Sequence, residues 1–187
     1  MNAGTSLRDQ QVSPQPFPDQ LKKQIWGWLQ LVPDPEIPVI SVIDLGIVRD
    51  VQVSVAADQE VLCTIVITPT YSGCPAMNVI SQEIVAVLKQ HGVSRVAIHT
   101  ELSPAWSTDW MSEHGKNQLK NYGIAPPAQR VIDISGISRK HFLAPEVACP
   151  HCGSMHTICL SQFGSTSCKS LYQCKDCLEP FDYFKAH

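Results

Sequence analysis

The chain has 187 residues, 44% of them hydrophobic, and a formal net charge of −3. That balance excludes the basic footprint of a nucleic-acid binder. No apolar run approaches the ~18–20 residues of a membrane-spanning helix, and the length suits one ordinary domain plus a small one.

Residues 1–18 are polar, contain Pro14, Pro16 and Pro18, and lack the apolar segment of a signal peptide. A disordered tail on a cytoplasmic protein is expected. Residues 20–31 place Leu21, Ile25, Trp28, Leu29 and then Val32 at helical spacing, and Pro33 and Pro35 stop the helix. Residues 47–55 end in strict alternation of Val51, Val53 and Val55. Residues 61–68 are almost all apolar or β-branched, the pattern of a strand covered on both faces. Asp58, Gln59 and Glu60 connect the two as a hairpin.

A polar turn follows. Met77, Ile80, Ile84, Val87 and Leu88 then mark an amphipathic helix ended near Gly92, and Val96, Ile98 and Thr100 alternate as a third strand. This order predicts an α+β fold, a two-layer α-β-β-α-β sandwich. Residues 113–122 form a further helix, with Ser112 as N-cap and Gly123 just past its end. Pro126 and Pro127 break it. The expected organisation is a sandwich domain over 19–125, a linker over 126–144 and a small module over 145–187.

That module holds Cys149-Pro150-His151-Cys152 and Cys174-Lys175-Asp176-Cys177. Two residues between cysteines let both thiolates of one turn reach a single ion, and two such knuckles complete a tetrahedral site. Four sulfurs leave no open position, so the zinc is structural. Strand candidates at 156–163, 168–173 and 181–184 complete a zinc ribbon. A disulfide scaffold fits less well, because six of the eight cysteines fall after residue 148 in a chain long enough to bury a core. A dithiol redox motif at Cys149/Cys152 would need a helix start in a βαβ context and would leave the second pair unexplained. Cys159 reads as a small strand residue. Cys168, after a Gly-Ser-Thr turn, reads as an exposed or packed thiol without a role.

Cys74 differs. It ends Thr68-Pro69-Thr70-Tyr71-Ser72-Gly73-Cys74, with Pro75 at the first helical position. As the cap residue it would face free N–H groups and the positive end of the helix dipole, which favours a thiolate. A metal or cluster ligand or a nucleophile is one reading. A thiol buried under a turn is the other, and local sequence does not choose between them. In Asp34-Pro35-Glu36-Ile37-Pro38-Val39 the alternating prolines predict an extended segment with both carboxylates on one side, able to bind a cation or steer a partner. A polar turn after a helix is the commoner use. Trp106 and Trp110 fall in one connection. Such aromatics usually pack a loop onto a sheet, and a partner-binding patch is the alternative. No serine triad, phosphate loop, nicotinamide fingerprint or histidine ligand motif is present.

Asp34-Pro35-Glu36-Ile37-Pro38-Val39, Asp44-Leu45-Gly46, and Thr68-Pro69-Thr70 through Cys74-Pro75 together resemble the iron–sulfur assembly domain family, which includes SufT-like proteins. Residues 104–111 and 122–127, Phe163-Gly164-Ser165-Thr166, and residues 179–185 resemble the PaaD family, a component of bacterial phenylacetyl-CoA ring epoxidases. The resemblance implies an accessory, non-catalytic role in aerobic phenylacetate catabolism: delivery of iron or an iron–sulfur cluster to the epoxidase, foremost its iron–sulfur reductase. It implies Cys74 as the iron or cluster ligand, supported by Asp34, Glu36 and Thr70, with the cluster shared across a homodimer as one arrangement. A structural component that docks the oxygenase is the alternative.

Overall fold

A computed structural model describes residues 16–55, 60–127 and 146–186. Most of the expected N-terminal tail, the Asp58-Gln59 connection and most of the linker lie outside the described residues. Helix α1 (Pro16–Leu29) starts four residues before the expected Gln20. Pro16 and Pro18 fall in its first turn, where N–H groups have no helical partner to lose. Strand β1 (Val48–Val55) pairs antiparallel with β2 (Val61–Ile67). Helix α2 (Ala76–Gln90) then crosses over to β3 (Arg95–Thr100), which runs parallel to β2. The sheet order is β1-β2-β3, and the α-β-β-α-β sandwich is the one the periodicity predicts.

Its core follows from two spacings. Ile25 and Leu29 of α1, and Ile80, Ile84 and Leu88 of α2, recur every four residues and are fully buried. Cys63, Ile65 and Ile67 of β2 alternate and are equally buried. Each such aliphatic side chain contributes about 1.5–3 kcal/mol. Val66 and Thr68 are buried on the opposite side of the strand, whereas Leu62 and Thr64 are only half-buried. The sheet is therefore covered on both faces only at the end that leads into the Cys74 loop.

A 3-10 turn at Thr108–Trp110 and helix α3 (Glu113–Asn121) follow. Ser112 caps α3 by accepting from the Gly115 N–H, and Gly123 takes φ +92° after it. The connection is bound to the loop that leads into β1 by Trp106, whose Nε1 donates to the Leu45 carbonyl at 3.1 Å, and by Gly46 at φ +73°. A Cβ on Gly46 would lie 2.6 Å from the Trp110 carbonyl oxygen, so no side chain fits there.

The second sheet has the order β4-β7-β6-β5, from β4 (Ile124–Ala125), β5 (Thr157–Ser161), β6 (Lys169–Cys174) and β7 (Pro180–Phe184). β4 is too short to leave a pattern in sequence. It runs parallel to β7, so the chain leaving α3 joins the ribbon's sheet directly. The modules also share a core: Cys168 and Phe184 belong to the same buried cluster as α1 and α2. Phe184 sits tilted against Trp106, ring centroids 6.0 Å apart. No described helix is long and apolar enough to cross a membrane.

Candidate functional site

The four ribbon cysteines converge as their spacing predicts. Their sulfurs all lie within 4.8 Å of one another, with Cys149 to Cys177 at 3.7 Å and Cys152 to Cys174 at 3.6 Å. Zn–S bonds of about 2.3 Å would set tetrahedral sulfurs about 3.8 Å apart, so the donor set fits zinc. The two knuckles repeat one local geometry. Cys149 N–H donates to the Ser154 carbonyl, and Cys174 N–H donates to the Glu179 carbonyl. Gly153 (φ +77°) and Leu178 (φ +66°) occupy the same left-handed position after each pair. Backbone N–H bonds from Cys177 and Asp176 lower the Cys174 thiol even against desolvation, whereas desolvation and the neighbouring sulfurs raise Cys152 and Cys177, so the four thiols do not ionise alike.

Leucine in the left-handed region costs about 1 kcal/mol, and here the side chain is exposed. Leu178→Gly should therefore raise the chelator concentration needed to strip the zinc, by a few tenths of a kcal/mol after glycine's own entropy cost. Gly153→Ala should lower it, by about 1 kcal/mol. Chelator competition on the two variants checks both signs.

The second constellation surrounds Cys74. Pro75, and not Cys74, is the N-cap of α2, which corrects the expected position by one residue. The sulfur still accepts from the Ala76 N–H and from the Thr70 hydroxyl, bonds that favour the anion. Burial outweighs them, helped by the charges of Glu36 and Asp34, and the thiol is pushed up rather than down. The expected dipole-activated thiolate is thus not what the fold provides in the absence of a cation.

Asp34 and Glu36 also depart from the extended segment the prolines suggested. Pro33 bridges Ser41, and Asp34 N–H donates to the Ile40 carbonyl, closing a tight loop. Inside it, Asp34 Oδ1 accepts from the N–H groups of Glu36 at 2.8 Å and Ile37 at 2.9 Å. A short acceptor that satisfies two donors outcompetes the extended preference. Asp34 is consequently buried while Glu36 is exposed, yet both line the recess that holds Cys74. Burial raises the Asp34 carboxyl despite those two bonds and the nearby Lys169 charge.

The residue that sequence reading passed over is Cys168. It is buried, 7% exposed, and lines the same recess as Asp34, Glu36, Thr70 and Cys74. Its thiol lies 3.0 Å from the Thr166 hydroxyl and feels the charges of Lys169, Glu36 and Asp34. Tyr71 bridges the modules from the other side, hydrogen-bonding the Ser167 side chain. The only signal in sequence was Cys168's place in the Gly-Ser-Thr turn. Trp106 is buried inside the chain, and Trp110 lies half-buried beneath the Arg49 guanidinium, 3.4 Å from its ring centre. Trp106 thus packs its connection against the loop before β1 and against Phe184 of the ribbon, rather than presenting a ring to a partner.

Two family descriptions match the two modules. An iron–sulfur cluster assembly protein model matches residues 22–98, and the PaaD zinc beta ribbon domain matches residues 136–185. A protein of Escherichia coli (strain K12), named as a candidate component of 1,2-phenylacetyl-CoA epoxidase, is 46% identical over 162 residues, covering 87% of this chain and 91% of its own. The Fe-S protein maturation auxiliary factor YitW of Bacillus subtilis (strain 168) is 34% identical over 102 residues, 54% of this chain and 95% of that one. The corresponding factor SufT of Staphylococcus aureus (strain USA300) is 33% identical over 90 residues, 48% of this chain and 97% of that one. With an assembly domain and a ribbon matched in order, and a relative aligned over nearly its whole length, the chain belongs to the PaaD family.

Proposed function

We propose that this chain is an accessory factor of a phenylacetyl-CoA epoxidase that carries iron, or an iron–sulfur cluster, at Cys74 and passes it to a component of that enzyme, foremost its iron–sulfur reductase. It works in the cytoplasm and is not itself the oxygenase. The observation that carries this reading is the recess at the β2–α2 loop: a half-buried, reachable thiol beside one buried and one exposed carboxylate. Thiolate and carboxylate are donors iron accepts. The relatives named as Fe-S maturation factors share this module, and the epoxidase-named relative shares both modules.

The test is the iron and acid-labile sulfide content of the reductase after co-expression with wild-type chain, with Cys74→Ser, or with neither. An equal fall without the chain and with the variant is expected. Full cluster content in all three would remove the reductase-maturation role. A docking component of the complex is the second reading. It is favoured by the exposed Ile158, Leu160 and Phe163 on and beside the edge strand β5. Stoichiometric co-purification that survives Cys74→Ser and fails without the ribbon would select it.

A further inference from the structure

We propose that Cys168 is the second thiolate ligand of the Cys74 recess, so that the assembly module and the ribbon together form one binding site for a single iron(II) ion. This rests on the reading of Cys74 as an iron ligand and deepens it.

Three observations carry it. First, Cys74 and Cys168 come from different modules, about ninety residues apart, and line one recess with Asp34 and Glu36. Two sulfurs and one or two carboxylate oxygens make a donor set suited to a borderline divalent ion. Second, the recess measures about 10 Å³. That is room for about one water or one ion, and a cluster with two irons and bridging sulfides would have to force it open.

Third, the ribbon turn is held where Cys168 faces the recess. Gly164 N–H donates to the Lys169 carbonyl, Lys169 N–H to the Thr166 carbonyl, and Lys185 N–H to the Cys168 carbonyl. Gly164 packs so closely that a Cβ would lie 2.5 Å from Asp182 Oδ1. The buried Lys169, 3.7 Å from Asp182, fixes the next position. Such a braced turn keeps Cys168 on the recess wall, so the donors that move onto an ion are those of the other module.

Among the described residues the ribbon's four cysteines are the one group of three or more such donors that lie within 4.8 Å of one another, so the recess donors still have to close on an ion. An ion entering at the reachable Cys74 and Glu36 would draw in the recess donors. Both thiols lose their protons to solvent on binding, and iron stays iron(II), so no electron is exchanged. The second sulfur comes from the same chain, and the site needs no second copy of the protein.

Cobalt(II) accepts the same donors and reports them through sulfur-to-metal charge-transfer absorption. It binds sites of this kind less tightly than zinc, so a zinc-loaded ribbon keeps its own metal. The full-length zinc-loaded chain, reduced and anaerobic, is titrated with cobalt(II). Wild type should take one equivalent with a two-thiolate band. Cys168→Ser should give about half that intensity and bind at least about tenfold more weakly, as should Cys74→Ser, while Cys159→Ser should match wild type. Retained zinc verifies that each variant is folded.

A Cys168→Ser protein with the wild-type band and affinity overturns the proposal, and so does a wild-type protein that takes no cobalt. In either case the delivery role still stands or falls on the reductase cluster assay. The two-thiolate pattern together with a fully matured reductase in the Cys74→Ser background would support the composite site and remove the delivery role.

Discussion

Stripping the metal from this chain, or replacing Cys174 by Ser, will unfold the ribbon and weaken the assembly module with it. Structural zinc contributes about 10–16 kcal/mol at neutral pH, comparable to the roughly 5–15 kcal/mol that holds a whole domain together. Little else holds the knuckle end of the ribbon, because among the described residues its own buried cluster comprises Ala125, Val147, Cys149, Tyr172, Cys174, Phe181 and Tyr183. The loss will not stop there. Phe184 is 1% exposed and sits in the core shared with α1 and α2, and Cys168 lies in the same cluster. Withdrawing a buried phenylalanine costs about 3–5 kcal/mol. The assembly module should therefore melt at lower temperature once the zinc is gone. Trp106, which contacts Phe184, should shift its fluorescence toward that of a wetted indole. Zinc release followed by a colorimetric chelator, with fluorescence and circular dichroism recorded together, checks all three. If the zinc leaves and neither Trp106 emission nor the module's melting moves, the shared core does not couple the modules.

What sequence discloses here divides along the range of the interactions. The buried face of α2 was legible because Ile80, Ile84 and Leu88 repeat at the helical period, and β2 because its apolar residues are continuous. The zinc centre was legible because each knuckle is made by neighbours in the chain. The recess was legible only in part. Cys74 declared itself by its loop and by its resemblance to a family, but its electrostatics did not. Burial raises its thiol, and so do two carboxylates from a loop about forty residues earlier. Asp34 defeated the local rule for prolines because its own side chain offered the backbone two hydrogen bonds. Cys168 was hidden because nothing near it in sequence signals that β6 begins against another module. Such a contact is set by tertiary packing, through Phe184, Trp106 and the pairing of β4 with β7.

Replacing Asp44 by Ala should cost about 3 kcal/mol, the next largest effect after metal loss. The carboxylate is nearly buried, with 8% of its side chain exposed. It accepts from Ser112 Oγ at 2.5 Å, Gln30 Nε2 at 2.6 Å and Ser41 Oγ at 2.7 Å, and lies 3.4 Å from His114 Nδ1. It thereby ties together the end of α1, the 33–46 loop and the start of α3. Hydrogen bonds to a charged acceptor contribute about 1.5–3 kcal/mol each, and removing the shared acceptor strands several donors at once. Asp44→Asn keeps one acceptor and should lose about half as much.

The pH dependence has a definite sign. Burial opposes the charge, but the bonds from Ser112, Ser41 and His114 hold this carboxyl below its ordinary value. The folded state thus binds fewer protons here than the unfolded chain, whose carboxyl titrates near about 3.9. The stabilisation is complete above that pH and is lost as pH falls through the depressed folded value. Urea unfolding of wild type and Asp44→Asn should accordingly differ most at neutral pH and converge below about pH 4. The difference between the two proteins is the quantity to read, because the ribbon thiolates release zinc in acid in both. Curves that stay parallel to the lowest pH would mean that Asp44 keeps its charge for another reason. Leu45 and Ile47, which follow Asp44 in the chain, form one wall of the Cys74 recess. The carboxylate itself is outside that lining and is held too fully by protein donors to serve as a ligand. Asp44→Asn should therefore lower stability while leaving cobalt uptake at the recess intact at 25 °C.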